Sequence, residues 1–190
     1  MKRTVRAALD EATSAIGAID ARALATHAWD VTRAWLAANP MQVLSETQEA
    51  RLASLVAQRT LGQPVAYLTG SREFWSRDFA VGPGVLIPRP DTETLVEAAL
   101  ERIGGEASIC DLGTGSGAIA VTLACERRRA RVIATDASPA AIAIARANAL
   151  AHGATVEFRE GSWYAPVAGE AFDLIVSNPP YVAAGDAHLA

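Results

Sequence analysis

Apolar side chains return every three or four positions through the first part of the chain. Val5, Ala8, Leu9, Ala12 and Ile16 form one series, and Leu24, Ala28, Val31 and Trp35 form a second. This spacing stacks the apolar groups on one side of a 3.6-residue turn and predicts two amphipathic helices. Asn39-Pro40 ends the second, because a residue ahead of proline is pushed out of the helical region. Ser45-Glu46-Thr47-Gln48 has capping-box spacing ahead of Leu52, Leu55 and Val56, which predicts a third helix closed by Gly62 and Pro64. Between Glu73 and Gly84 the period shortens. Phe74, Trp75, Phe79 and Val81 flank Ser76-Arg77-Asp78 in a hairpin-like connector. Prolines keep Val85 to Pro90 extended. Asp91 and Glu93 then open a helix that buries Leu95, Val96, Ala99, Leu100 and Ile103 and stops at Gly104-Gly105.

Beyond Ala107 the pattern alternates. Apolar runs at 107–112, 131–136, 155–159 and 172–176 read as strands, with helical stretches after residue 118 and after Ser138-Pro139, a capping residue followed by proline at the first helical position. Strand–helix alternation predicts an α/β fold, a parallel sheet with helices on both faces and all strand-end loops along one rim. The chain divides into a helical bundle (1–72), a connector (73–90) and an α/β domain (91–190), with the boundary falling near residues 70–85. Its front helices pack their own core. As a unit, a helical domain ahead of a catalytic one is read as recognising a partner.

Composition narrows the classes. Of 190 residues, 51% are hydrophobic and 20% charged, which suits a globular protein with a substantial core. A net charge of −4 argues against a surface built for phosphate backbones. Cys110 and Cys125 lack CxxC spacing and read as buried thiols of a reducing compartment. His27, His152 and His188 are scattered, so no metal is expected. No apolar run approaches the ~20 residues of a membrane span and the N-terminus has no signal-peptide pattern, which points to the cytoplasm.

The candidate chemistry sits at strand ends. In Asp111-Leu112-Gly113-Thr114-Gly115-Ser116-Gly117 the glycines permit a tight turn and close approach of a ligand to the backbone. Gly113, Gly115 and Ala118 also satisfy the dinucleotide pattern, but that match is weak. Asp111 would meet a pyrophosphate with the wrong charge, and a carboxylate there better suits a ligand with a cationic ammonium end. Asp136 closes the second strand, placed to accept hydrogen bonds from ribose hydroxyls, with a turn-capping aspartate as the plainer alternative. An adenosine carrying an amino-acid tail and no phosphates describes S-adenosylmethionine. At the fourth strand's exit stand Asn178, Pro179, Pro180 and Tyr181. Proline cannot continue a sheet ladder, so the turn is rigid; it is either a bare stop signal or a clamp for a planar amide or amine.

The Asp-x-Gly-x-Gly-x-Gly loop with a strand-end acid resembles the Rossmann-like class I methyltransferases. The ordered set of Arg72-Glu73-Phe74-Trp75, Leu86 to Glu93, Asp111 to Gly117, Gly161-Ser162-Trp163-Tyr164 and Asn178 to Val182 resembles the PrmC/HemK family, N5-glutamine methyltransferases of peptide chain release factors. The resemblance covers essentially the whole chain. It implies that Gly113 to Gly117, including Thr114 and Ser116, hold the methionine part of S-adenosylmethionine, whose product is S-adenosylhomocysteine. Asp136 matches the ribose acid and Trp163 the aromatic beside adenine, with Ser162 where aspartate is common. Asn178 and the Pro179 carbonyl would accept hydrogen bonds from the glutamine NH2, Tyr181 would pack on the amide plane, and Pro180 would stiffen the turn. Asn178, Pro179 and Tyr181 are thus the catalytic candidates. Asp111 and Asn178 count also among the cofactor contacts.

Release factors are the implied partner and translation termination the setting, without metal, membrane or direct nucleic-acid binding. Three rival readings are an adenine-N6 methyltransferase acting on DNA or RNA, which can use the same clamp, a nucleotide- or NAD-dependent protein, and a binding-only protein. The acidic balance and the absence of a Lys/Arg-rich insertion weigh against the first. The chain ends nine residues after Tyr181 with four strands counted, where a class I methyltransferase sheet has seven. An open sheet edge is unfavourable, so the expectation is a fragment of a longer enzyme, truncated after strand four, binding cofactor weakly or inactive in isolation.

Overall fold

A computed structural model describes residues 3–179. Two units emerge, Met1–Gly70 and Ser71–Ala190. The first is helical: α1 (Val5–Ile16), α2 (Ala18–Trp29), α3 (Arg33–Ala38), α4 (Glu46–Thr60) and the short α5 (Val65–Thr69). Thr4 caps α1 through its side chain, and Ser45 and Gln48 form the full capping box of α4. Val5, Ala8 and Ala12 meet Leu24, Ala25, Ala28, Leu36 and Leu52 in one core. The second apolar series does not make one helix. Asp30 adopts a left-handed conformation (φ 53°, ψ 52°) that ends α2, and Thr32 caps α3 afresh. Both halves still deliver their apolar groups, with Val31 and Trp35 packed against the same core.

The second unit opens with an antiparallel hairpin, β1 (Ser71–Phe74) and β2 (Arg77–Ala80), turning at Trp75 and Ser76, each with φ of 53°. Paired positive φ values match the right-handed twist of the flanking strands, so the turn falls one residue earlier than the polar run indicates. These residues, read above as part of a connector, are built into the unit's core: Phe74 and Phe79 are buried there, with ring centroids 6.0 Å apart edge to face. A 3-10 turn (Pro90–Thr92) leads into α6 (Glu93–Arg102).

Four parallel strands follow, β3 (Ser108–Leu112), β4 (Arg131–Asp136), β5 (Glu157–Glu160) and β6 (Leu174–Ser177), in the order β5-β4-β3-β6. They are joined by α7 (Ala118–Glu126), α8 (Pro139–Ala151) and a 3-10 turn (Ala165–Val167). The sheet is parallel as its alternation predicts, but the described helices do not lie on both faces. Apolar groups of α6, α7 and α8 gather in a single cluster with Ile109, Val132, Ala134 and Val176. The opposite face holds Cys110, Leu112 and Ile133 beneath Val167 and Phe172. The cause is the strand order. Two right-handed crossovers running the same way, β3 to β4 to β5, place their helices together, and only the return to β6 crosses the other face. That reversal makes the carboxyl ends of β3 and β6 a topological switch point, where open α/β sheets bind ligands.

Candidate active site

Leu112 pairs with Ser177 across the β3–β6 ladder, so the glycine loop leaves one strand beside the point where Asn178 leaves its neighbour. The Ser177 hydroxyl donates to the Leu112 carbonyl at 2.8 Å and ties the two exits together. Gly113, Gly115 and Gly117 all have positive φ (72°, 56° and 80°), the left-handed region that glycine enters without penalty. A Cβ at Gly113 or Gly115 would meet nothing within 4 Å, so both backbones stand open. Gly117 is different. A Cβ there would come to 3.0 Å from the Ala145 Cβ and 3.2 Å from its Cα, so this glycine lets α7 and α8 approach each other.

Asp111 is 0% exposed, and its carboxylate lies under the loop, where Oδ2 accepts from the Thr114 hydroxyl at 2.7 Å. Oδ1 has no well-formed hydrogen bond among the described residues, the Ala120 backbone N–H lending weaker support. Burial pushes its pKa up to about 6 from 3.8, against those two stabilising contacts. Sealed from solvent, the carboxylate supports the loop from beneath through Thr114. Thr114 and Ser116 are themselves buried.

Asp136 sits at the end of β4. Its Oδ2 accepts from the Gly115 N–H at 2.8 Å and its Oδ1 from the Ser138 N–H at 2.9 Å. The turn-capping role is therefore real, and each oxygen retains a lone pair for a further donor such as a ribose hydroxyl. The Gly161 N–H donates to the Asp136 carbonyl at 2.9 Å, which brings the turn carrying Ser162, Trp163 and Tyr164 alongside. Trp163 is 59% exposed and held at φ 49°, an aromatic face left open at the rim.

Asn178 lines a small cleft with Gly113, Thr114, Gly115 and Ser116 on one side and Leu86 to Arg89 and Thr92 on the other. Its Nδ2 donates to the Thr92 Oγ1 at 2.9 Å. Pro179 follows directly; Pro180 and Tyr181 lie outside the described residues. The structure thus joins the loop and Asn178 in one cleft, and places Asp136 and Trp163 along the adjoining rim. Open glycine backbone, an acid within reach of ribose and an exposed aromatic fit S-adenosylmethionine.

Two residues escaped the sequence reading. Thr92 lies within the segment 86–93, between the Asp91 and Glu93 that open the predicted helix, and carries no mark of its own. Asn148 did leave a signal, since it is a polar residue on the buried stripe of Ile142, Ala145 and Ala149. It is 2% exposed, accepts from the Ala80 N–H at 2.8 Å, and donates to the Ala80 and Ser116 carbonyls at 3.0 and 2.8 Å. Among the described residues, no group of three or more His, Cys, Asp or Glu is placed to hold a metal ion, and no helix is long and apolar enough to cross a membrane. A separate groove of about 460 Å³ lies in the helical unit, lined by Arg6, Arg22 and Arg33 with Asp10, Leu9 and Leu36. None of the three arginines forms an ion pair among the described residues.

Comparison with known proteins divides the chain in the same way. The PrmC N-terminal domain model matches residues 2–70, and the methyltransferase small domain model matches residues 90–190. A release factor glutamine methyltransferase from Xylella fastidiosa (strain Temecula1) is 53% identical over 186 residues, covering 96% of this chain and 68% of that protein. The protein of the same name from Bordetella pertussis is 50% identical over 175 residues, covering 90% of this chain and 65% of its own length. The chain spans about two thirds of the length of these relatives. Among solved structures, a T. thermophilus 16S rRNA N2 G1207 methyltransferase in complex with AdoMet and guanosine is 28% identical with a TM-score of 0.50, covering 60% of this chain and 33% of that one.

Proposed function

We propose that this chain, which belongs to the family of release factor glutamine methyltransferases, transfers a methyl group to the side-chain amide nitrogen of the glutamine in the Gly-Gly-Gln motif of peptide chain release factors. The observation that carries this reading is the cleft in which the glycine loop of β3 and Asn178 of β6 face one another at the switch point. S-adenosylmethionine is the cofactor, and when bound it supplies a methyl group on a positively charged sulfur.

The residues of this chain do the positioning. Open backbone at Gly113 and Gly115 receives the methionine part, Asp136 accepts from the ribose, and Trp163 covers the adenine. An amide nitrogen is a poor nucleophile because its lone pair is delocalised into the carbonyl. The Asn178 Oδ1 and the Pro179 carbonyl accept the two hydrogens of the glutamine NH2, hold its nitrogen in line with the methyl carbon, and stabilise the positive charge that grows there. Transfer would form the N–C bond as the cofactor's S–C bond is given up, and the surplus proton would then leave the nitrogen, so no strong general base is needed. The helical unit recognises the release factor, a role supported by the unpaired arginines of its groove, which suit an acidic segment. Translation termination places the reaction in the cytoplasm.

The test is methyl transfer from labelled S-adenosylmethionine to a purified release factor, with its Gln→Ala variant, DNA and RNA as parallel acceptors. Label is expected on the release factor alone and lost in the Gln→Ala control. Asn178→Ala should still bind S-adenosylhomocysteine, with a loss small beside a fall in turnover of about 100-fold or more. Label on nucleic acid, or near-native turnover of Asn178→Ala, overturns the reading.

A further inference from the structure

Thr92 ends the 3-10 turn that runs straight into α6; its backbone is helical (φ −69°, ψ −19°), unlike the extended N-cap at which a threonine hydroxyl accepts a backbone N–H of the first turn. It makes no such bond. Its Oγ1 instead accepts from the Asn178 Nδ2 at 2.9 Å, across 86 residues of sequence. We propose that Thr92 is a positioning residue that anchors the Asn178 amide through Nδ2 and holds it in the pose in which Oδ1 is left for the acceptor nitrogen. This inference rests on the role of Asn178 in the proposed reaction.

The reasoning is one of polarity. A carboxamide has two donor hydrogens on one side and two lone pairs on the other. An incoming glutamine NH2 needs an acceptor, and an amide rotated by half a turn would offer it a second donor. In the arrangement present, Nδ2 is spent on Thr92 and Oδ1 is left for the cleft; holding a flipped amide would require the hydroxyl to turn from acceptor to donor. Both partners are rigidly mounted. Pro88 and Pro90 constrain the approach to Thr92, whose N–H donates to the Arg89 carbonyl at 3.0 Å, and Pro179 follows Asn178. The next residue anchors the mount: Glu93 Oε1 accepts from the Trp75 N–H at 2.9 Å, locking the start of α6 to the hairpin turn. Val96 and Ala99 bury α6 in the core behind it. The segments 72–75 and 86–93, which carry no chemistry of their own, thus converge on one side-chain amide.

Thr92→Val keeps the shape and removes the hydroxyl; Thr92→Ser keeps the hydroxyl. In methyl transfer to a release factor, Thr92→Val is expected to lower kcat about 10- to 100-fold, with KM for the release factor and Kd for S-adenosylhomocysteine unchanged. Thr92→Ser should stay within about 3-fold of the parent, and Thr92→Val should add no further loss to Asn178→Ala. The side-chain NH2 resonances of Asn178, assigned by their loss in Asn178→Ala, give a readout independent of turnover. They should show slowed exchange in the parent and in Thr92→Ser, and lose that protection in Thr92→Val. Asn178 resonances that Thr92→Val leaves unmoved, or equal kcat losses in the Val and Ser variants, overturn the proposal. Failure of the parent to methylate a release factor, with the resonance pattern intact, would instead sink the functional reading and leave the Thr92 contact standing.

Discussion

Asp111→Asn isolates what a buried carboxylate costs this fold. Asp111 is fully buried under the glycine loop, and burial lifts its pKa from 3.8 to about 6. Between those values the native state keeps a proton that the unfolded chain releases, so stability falls as pH rises through the window. Well below pH 3.8 both states are protonated and the cost vanishes; well above pH 6 it is complete. A rise of about two units at 1.36 kcal/mol per unit makes the full cost about 3 kcal/mol. Other carboxylates titrate over the same range, so the informative quantity is the stability of the parent minus that of Asp111→Asn. Urea denaturation from pH 3.5 to pH 8 measures it, since the asparagine oxygen still accepts from Thr114 but does not ionise. The difference should move against the parent by about 3 kcal/mol between the ends of that range, most of it between pH 4 and pH 6. A difference flat to within about 1 kcal/mol would refute the assignment of a buried ionising group at this position.

Asn148→Leu should destabilise the protein by about 3 kcal/mol or more in urea denaturation, because it strands the Ala80 N–H and the Ala80 and Ser116 carbonyls. Loosening of Ser116 should weaken S-adenosylhomocysteine binding as well, read by calorimetry. Gly117→Ala combines a left-handed φ of 80° with a Cβ only 3.0 Å from that of Ala145, and should cost about 2–4 kcal/mol by the same denaturation assay. Arg6→Glu, Arg22→Glu and Arg33→Glu combined should raise KM for the release factor about 10-fold or more in the methyl-transfer assay, while the Kd for S-adenosylhomocysteine stays unchanged.

The strands, the long helices and the order of elements were readable because each depends on local periodicity. Strand β3, the loop after it and α7 declare themselves within about 20 residues by an apolar run, three glycines and a second apolar run. Capping was equally local, as Ser45 with Gln48 and Ser138 with Pro139 show. The misses have physical causes too. The break between α2 and α3 rests on one left-handed residue, Asp30, inside a series whose apolar spacing continues through it. The single-faced helix layer follows from strand order, which alternation of elements does not encode. The burial of Asp111 is hidden likewise, since it depends on which way β3 turns its side chains, with Ile109 and Asp111 on one face and Cys110 and Leu112 on the other.

The partners that Thr92 and Asn148 find in Asn178 and Ala80 were illegible for a shared reason: each lies 68 or more residues away. Taken together they give the β1–β2 hairpin a purpose that its sequence does not disclose. At the turn, the Trp75 N–H holds Glu93, next to the Thr92 that orients Asn178. At the far end of β2, Ala80 binds Asn148, whose amide also grips the glycine loop at Ser116. One hairpin is therefore braced against both walls of the cleft, the glycine loop on one side and Thr92 with Asn178 on the other. Its own anchorage is hydrophobic, through Phe74 and Phe79 in the main core. In-line transfer tolerates displacements of well under about 1 Å before rate is lost. Two walls built on different strands need a common reference to keep that distance, and a rigid hairpin bonded to each supplies it without touching either substrate.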